Sequence, residues 1–470
     1  MPIKSIEISN FKRFKNQKLN LEKTVTVILG ENSSGKSSIL KALLGLKQTA
    51  SPSNEHESWA AHGDYVDLGT YQDFVNKRDI RKKFGFSVTL DSDSAYRSLA
   101  PYRIRTTVSE LTIDVEYDYD PVSSQARLLG IGAKFASPAI RCHWKLTRQK
   151  TRKNYNIRIS ENLVKAFDAA YGFDKGESLG YKPEFSVENT EKLTFRAASI
   201  TNISQSLFIR SVNETISTLV NHLEKNVFYL APLRSSPSRS YIRSSHNLAV
   251  GVRGEHTPSV LANLERRSQK ATTGRSDLRD SYELFTNGLS RVFPGHRAKT
   301  TIISELVKLK IQSRETDSYS GTDKADTITD VGFGFSQVFP IIVQAAVMPK
   351  NATLVVEQPE LHLHPMAQTR FAQFIAEAAL LGKRFIIETH SEHLVRGLQL
   401  AISEGRAKKK GNKFTKDSVS FNYIRKASEN DPPLEVNEFG EFTQEWPTGF
   451  FDESYKTTRQ LLRNKLRSAG

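Results

Sequence analysis

One cysteine, Cys142, in 470 residues leaves no partner for an intrachain disulfide and no thiolate set for zinc. That usage fits a reducing cytosol. Long apolar runs are also missing. The longest, PIIVQAAVM at 340–348, is about half the roughly 20 residues a membrane-spanning helix needs. The amino-terminal MPIKSIEISNF carries no signal-peptide core, so a cytoplasmic location without membrane contact is expected. No internal repeat is found. Acidic residues are outnumbered, 51 Asp and Glu against 67 Lys and Arg, and the net charge of +16 favours polyanionic partners. Nucleic acid, nucleotide and acidic protein all qualify, although a basic surface can also be bland. The balance of 38% hydrophobic and 25% charged residues is that of a globular chain. Its length allows one large domain with insertions or two to three ordinary ones.

The chain opens with alternating apolar stretches, IKSIEISNF and TVTVILG, that read as strands ending at Gly30. SSILKALLGL follows with Ile39, Leu40, Leu43 and Leu44 at helical spacing. Between about 85 and 160, FGFSVTL, RIRTTVSELTIDVEY and RCHWKLTR are candidate strands. From about 160 to 295 the pattern turns mainly helical, with Phe208, Val212, Ile216, Leu219 and Leu223 on one face. The basic ERRSQKATTGRSDLRD at 265–280 reads as a loop or an exposed helix start, and GRAKKKGNKFTK at 405–416 as a solvated turn. In the last third, helices from about 336, 366 and 391 alternate with strands at 352–357 and 384–388. That alternation argues for an α/β sheet.

Gly30-Glu-Asn-Ser-Ser-Gly-Lys-Ser37 matches G-x-x-x-x-G-K-S/T without a gap, after a strand and before a helix. Its glycines let backbone N–H groups wrap phosphate oxygens. Lys36 supplies charge to the β- and γ-phosphates of ATP, and the Ser37 hydroxyl ligates Mg²⁺. The helix directs its positive end at the same anion. Further on, Val331-Gly-Phe-Gly-Phe-Ser-Gln337 is either a second anion site or a plain turn. EQPELHLHP at 357–365 follows a β-branched strand and poses its own alternative: the acidic strand of a nucleotide-hydrolysing fold, or a metal centre. On the second reading His362, His364, His390, His393 and Glu357 would form a metallohydrolase.

The order of these parts resembles the ABC-class ATPases of the RecF/SMC type, and more narrowly the OLD-like ATPases of bacterial anti-phage systems. KSIEISNFKRFKNQKLNL, VGFGFSQVFPIIV, LVVEQPELHLHPMAQ, FIIETHSEHLVRGLQ and NEFGEFTQEWPTGFFDE carry the likeness, over roughly residues 1–45, 226–260 and 325–455. It implies an α/β fold with an ABC-type P-loop ATPase head, matching 45–225 and 265–325 much less closely. With the residue pattern above, the expected division is a β-rich N-terminal lobe (1–160), a mainly helical insertion (161–295) and a C-terminal lobe (296–470). It also implies site roles. Gly30, Asn32, Ser33, Gly35, Lys36, Ser37 and Ser38 would hold ATP and Mg²⁺. Glu357 would be the Walker B acid on the metal shell. Gly334, Ser336 and Gln337 would reach the γ-phosphate of ATP on a partner copy, and His390 would sense it. Such sites close when two chains sandwich two ATP molecules, so a homodimer or higher oligomer is implied.

One departure stands out. The position after the Walker B acid holds Gln358, which can orient a water but cannot take its proton. Hydrolysis is therefore expected to be slow, with ATP acting mainly as a clamp, unless Glu360 supplies the missing carboxylate. Gln72 is a candidate Mg²⁺ contact or simply a solvent-facing residue. Arg234, Arg239 and Arg243 could reach nucleotide or nucleic acid, or pair with surface carboxylates. Arg266, Arg267 and Lys408 to Lys410 fit phosphate contacts or a solvated face. Trp446, Phe450 and Phe451 are expected to pin the C-terminal segment. His362 and His364 are expected at packing or dimer contacts. Eighty residues follow His390, counting Ser391 to Gly470, without a cluster of acidic ligands. Septu-type and PARIS-type systems, in which an effector nuclease is a separate protein, are therefore the nearest expectation. The alternative is a RecF-like DNA repair or chromosome clamp.

Overall fold

Strand β1 (Ile3–Phe11) hairpins onto β2 (Phe14–Asn20), and β3 (Val25–Gly30) then enters a different sheet. The computed structural model describes residues 2–54, 56–91, 110–136, 141–149, 154–165, 184–188, 206–244, 248–270, 276–313, 326–329, 332–407, 411–445 and 460–461. Val331, Lys408 to Lys410, Trp446, Phe450 and Phe451 lie outside the described residues. Two units emerge, each collecting separate stretches of chain. One comprises residues 1–22, 37–229 and 351–353; the other comprises 23–36, 230–350 and 354–470.

The first unit is built on an antiparallel sheet. To β1 and β2 it adds β4 (Phe84–Asp91), β5 (Glu110–Asp120), β6 (Gln125–Ala136), β7 (Arg141–Arg148), β8 (Asn154–Ile159) and β9 (Glu184–Glu188), in the order β2-β1-β4-β5-β6-β7-β8-β9. Period-two alternation explains its one-sided burial. In β5, Leu111, Ile113, Val115 and Tyr117 are buried while Thr112, Asp114 and Glu116 face outward. Under the buried face sits an aromatic cluster, with Trp59 stacked on Phe86 at 5.2 Å and Phe84 on Tyr117 at 4.9 Å. In the helix Lys36–Thr49 the residues Ile39, Leu40, Leu43 and Leu44 are all buried. The helix Ser206–Asn226 likewise buries Val212, Ile216, Leu219 and Leu223. β10 (Val227–Leu230) follows it directly.

The second unit contains a small sheet and a parallel one. β11 (Tyr241–Ile242), β12 (His296–Ile303), β13 (Leu306–Ser313) and β14 (Asp326–Thr327) form the small sheet, in which β12 and β13 are an antiparallel hairpin. This hairpin was not apparent in the sequence reading. The helix Thr257–Lys270 runs through the start of the basic stretch expected as a loop or exposed helix start. The apolar residues Val260, Leu261, Ala262 and Leu264 bury one face and carry the helix past Arg266 and Arg267, which stay exposed.

The parallel sheet places β15 (Thr353–Glu357), β16 (Arg384–Glu388), β3 and β17 (Val419–Ile424) side by side. β16 and β17 both run parallel to β3. β3 and β16 are buried along their whole length, which is why Val27, Ile28 and Leu29 and Phe385, Ile386 and Ile387 follow one another without polar alternation. Helices Pro365–Leu380 and Glu392–Ala407 return the chain between these strands and pack on each other. β15, β16 and β3 consequently deliver their carboxyl ends, Glu357, Glu388 and Gly30, to one edge. In parallel α/β sheets that edge is where ligands bind.

Candidate functional site

The loop after β3 turns back because three backbone positions take positive φ: Gly30 at 143°, Ser33 at 62° and Gly35 at 97°. Glycine is required at position 30 for a second reason. A Cβ there would come within 2.4 Å of the Ile424 carbonyl oxygen, at the end of β17. The Lys36 side chain is buried, and its ammonium donates to the carbonyl oxygens of Gly30 (2.9 Å) and Glu31 (2.7 Å), curling into its own loop. Burial pushes the Lys36 pKa down, and the charges of Glu388 and Glu31 oppose that shift. Glu31 pairs with Lys426 at 3.2 Å. Asn32 and Ser33 are exposed, Gly35, Ser37 and Ser38 are half-buried, and the helix begins at Lys36 itself.

Glu357 ends β15, and the chain then turns sharply through Gln358, whose φ is +43°. Two contacts pin that turn. The Gln358 N–H donates to the Glu388 carbonyl at 2.8 Å. The buried Arg234 guanidinium donates to the carbonyls of Glu357 (3.0 Å) and Gln358 (3.3 Å). Arg234 therefore grips backbone, while Arg239 and Arg243 are exposed.

Glu360 is engaged through both oxygens. The Thr389 hydroxyl and the His390 N–H each donate to it at 2.8 Å. Burial pushes its pKa up, with those hydrogen bonds working the other way. His390 sits just beyond β16. Its pKa is pushed down by burial and, next, by the charge of Lys36, so the imidazole is held neutral near pH 7.

Gly334 and Ser336 fall in the first turn of the helix Phe333–Val347, not ahead of it. The Ser336 hydroxyl donates to the Phe333 carbonyl at 2.7 Å, and Gln337 is buried beside it. A Cβ at Gly334 would lie 2.4 Å from the His362 carbonyl oxygen, so glycine here lets the helix start press on the turn after β15. Phe333 meets the His362 ring edge-on at 4.9 Å. His364 caps the helix Pro365–Leu380 by accepting from Met366 N–H at 3.3 Å. Gln72 is exposed on the short helix Tyr71–Phe74 of the first unit.

Among the described residues no group of three or more His, Cys, Asp or Glu side chains is arranged to hold a metal ion by itself. His362 and His364 instead serve local packing. The donor set does fit a nucleoside triphosphate with its Mg²⁺. A positive-φ loop too tight for side chains, a helix start and one buried ammonium suit phosphate. The hydroxyl of Ser37 and the carboxylate of Glu357 are the hard oxygen ligands Mg²⁺ prefers. A cleft of about 1100 Å³ lies between the helices Thr257–Lys270 and Ser276–Val292 and strand β12, but no loop or strand-end residue of this site lines it. Glu388 was missed in the sequence reading. Its only signal was its place as the last residue of the apolar run RFIIE.

The parallel sheet, the loop and the strand-end acids define a P-loop ATPase of the α/β class. The chain belongs to the AAA ATPase domain family, which it matches over residues 1–395. Residues 415–461 match a second family, described as a protein of unknown function, DUF3696. No curated protein matches the chain. Among solved structures it is similar to an Smc head bound to the C-winged helix domain of ScpA, at 13% identity, 84% of this chain, 92% of that chain and a TM-score of 0.44. It is also similar to the SMC head domain from Thermotoga maritima (11%, 84% and 92%, TM-score 0.35). A third is an Smc head with an extended coiled coil bound to the C-terminal domain of ScpA from Pyrococcus furiosus (13%, 84% and 91%, TM-score 0.37). No helix among the described residues is long and apolar enough to cross a membrane.

Proposed function

We propose that this chain binds and slowly hydrolyses ATP at an interface between two copies of itself, as the sensor and scaffold of an anti-phage defence complex that controls a separate nuclease. The observation that carries the ATPase part is the convergence of Lys36, the β15 turn and His390 at one edge of the parallel sheet. Lys36 and the loop amides hold the phosphates. Ser37 and Glu357, with Gln72 as a further candidate, would hold Mg²⁺, which when bound would supply charge neutralisation at the phosphates. Gln358 orients the attacking water, and Glu360, its pKa raised by burial, is the carboxylate left to take the proton. Gly334 and Ser336 at the helix start complete the site of the partner copy, with buried Gln337 behind Ser336, and neutral His390, beside Lys36, reads the γ-phosphate held by its own chain.

The segments 1–160 and 296–470 supply the ATPase lobes in this reading, and the helical part of 161–295 supplies assembly or trigger recognition. The test is mass measurement with and without ATP on wild type, Lys36→Ala and Glu357→Gln. ATP should shift the mass of the wild type and of Glu357→Gln, and leave Lys36→Ala unshifted; no shift in any of the three sinks the sandwich. Co-purification of a nuclease encoded nearby tests the defence role.

A second reading, a DNA-bound clamp, is favoured by one surface. The outer face of the β12–β13 hairpin carries Arg297, Lys299, Lys308 and Lys310, all exposed, with Lys299 directly opposite Lys310. Like charges set opposite each other cost stability, which a polyanion would relieve. Binding of the isolated protein to duplex DNA, falling steeply with salt and weakened by Lys308→Glu with Lys310→Glu, would move the assignment to this reading.

A further inference from the structure

We propose that Arg234 is a positioning residue for ATP hydrolysis: it holds the left-handed turn at Gln358, and so sets where the water-orienting side chain points. The inference rests on the ATPase reading above.

The turn is unfavourable by itself. A glutamine at φ +43° sits in a region that side-chain-bearing residues rarely adopt, and such a residue persists only where its surroundings over-determine it. Here they do so from two sides. The Glu388 carbonyl accepts from the Gln358 N–H at 2.8 Å, which ties the turn to β16. On the other side, Arg234 Nη2 donates to the Glu357 carbonyl at 3.0 Å and Nη1 to the Gln358 carbonyl at 3.3 Å. These are the two peptide carbonyls that flank the Gln358 Cα, so the guanidinium fixes the ψ of the Walker B acid and of the residue after it together.

Arg234 is itself immobilised. Nη1 also donates to the Pro232 carbonyl at 3.1 Å, and the side chain is buried. Its backbone is held on both flanks, by Ala231 N–H to the Val252 carbonyl (2.9 Å) and by Ser235 N–H to the Arg253 carbonyl (2.8 Å). Three carbonyls reached by one planar fork is a task for arginine. A lysine offers three donors on a single atom and cannot span them. The same cation lies close enough to Glu360 to favour its ionised form, so the clasp bears on both residues proposed to handle the water.

The test compares Arg234→Lys and Arg234→Ala with wild type in ATP turnover, ATP binding and guanidinium rescue. The assignment predicts a loss in kcat on the order of 10²-fold, the size expected when a reacting group is displaced by about 1 Å. ATP affinity should stay within about twofold, because the phosphate loop is untouched. Guanidinium chloride at millimolar concentration should restore part of the turnover of Arg234→Ala, and methylammonium should not. Equal losses of binding and turnover, with no rescue, would show Arg234 to be a packing residue and overturn the proposal. So would unaltered kcat in both variants. If Arg234→Ala does not fold, Arg234→Lys decides through its split between kcat and ATP affinity. Wild-type protein that binds no ATP overturns the ATPase reading and this assignment with it. Wild type that turns over ATP alongside fully active Arg234 variants overturns the assignment alone.

Discussion

Lys36 donates to two carbonyls of its own loop, and on binding it would exchange them for phosphate oxygens. Hydrogen bonds to charged groups contribute roughly 1.5–3 kcal/mol, so Lys36→Ala should weaken ATP binding by about 10- to 100-fold, read by titration with a fluorescent nucleotide. Two neighbouring groups give the site a pH signature of opposite sign. Glu360 has its pKa raised above 4.5, so between that value and the raised one the folded state holds the extra proton. Its contribution is lost as pH rises through that window, and Glu360→Gln should remove the loss. His390 has its pKa lowered below 6.5, so on acidification through 6.5 the unfolded chain takes up the proton first. Stability therefore falls as pH drops there, and His390→Asn should flatten that limb in thermal unfolding measured against pH. Turnover should climb as Glu360 ionises, and Glu360→Gln should lose that climb together with about 10²- to 10⁴-fold of rate.

Among the elements, the helix Phe333–Val347 begins three residues ahead of the start near 336 expected of it. Its glycine and serine were expected in front of the helix as an anion cradle. They lie within its first turn, where Gly334 is set by packing against the His362 carbonyl. Gly334→Ala must displace backbone, so it should cost about 1–3 kcal/mol in chemical unfolding, the range for overpacking. An unchanged midpoint would show the contact to be loose. The hairpin of β12 and β13 escaped notice for a different reason. LVKLKIQ alternates lysine with apolar residues as a half-buried strand does, but its partner HRAKTTII has too few apolar residues to mark the second strand. The helix Thr257–Lys270 shows the converse: Val260, Leu261 and Leu264 bury its face, and Glu265, Arg266, Arg267, Gln269 and Lys270 are good helix formers, so the basic segment continues the helix.

For the whole molecule, the proposed dimer is the testable consequence. ATP should raise the solution mass of the wild type towards twice that of 52.9 kDa, and Lys36→Ala should stay at the lower value in light scattering. The parts of the chain legible without a structure were those whose chemistry is local. The P-loop is contiguous, the strands β15 and β16 are short apolar runs ending in acids, and the helix at Lys36 repeats at 3.6 residues. Those features determined the fold class and the nucleotide loop, because consecutive residues alone build a phosphate cradle. What only the tertiary structure decided is the pairing of residues far apart in the chain. Arg234 holds the carbonyls of Glu357 and Gln358, Glu360 receives the N–H of His390, and Gly334 meets His362. No spacing rule encodes these contacts. They depend on the parallel order β15-β16-β3, which brings three distant strand ends to one edge before any side chain can choose a partner.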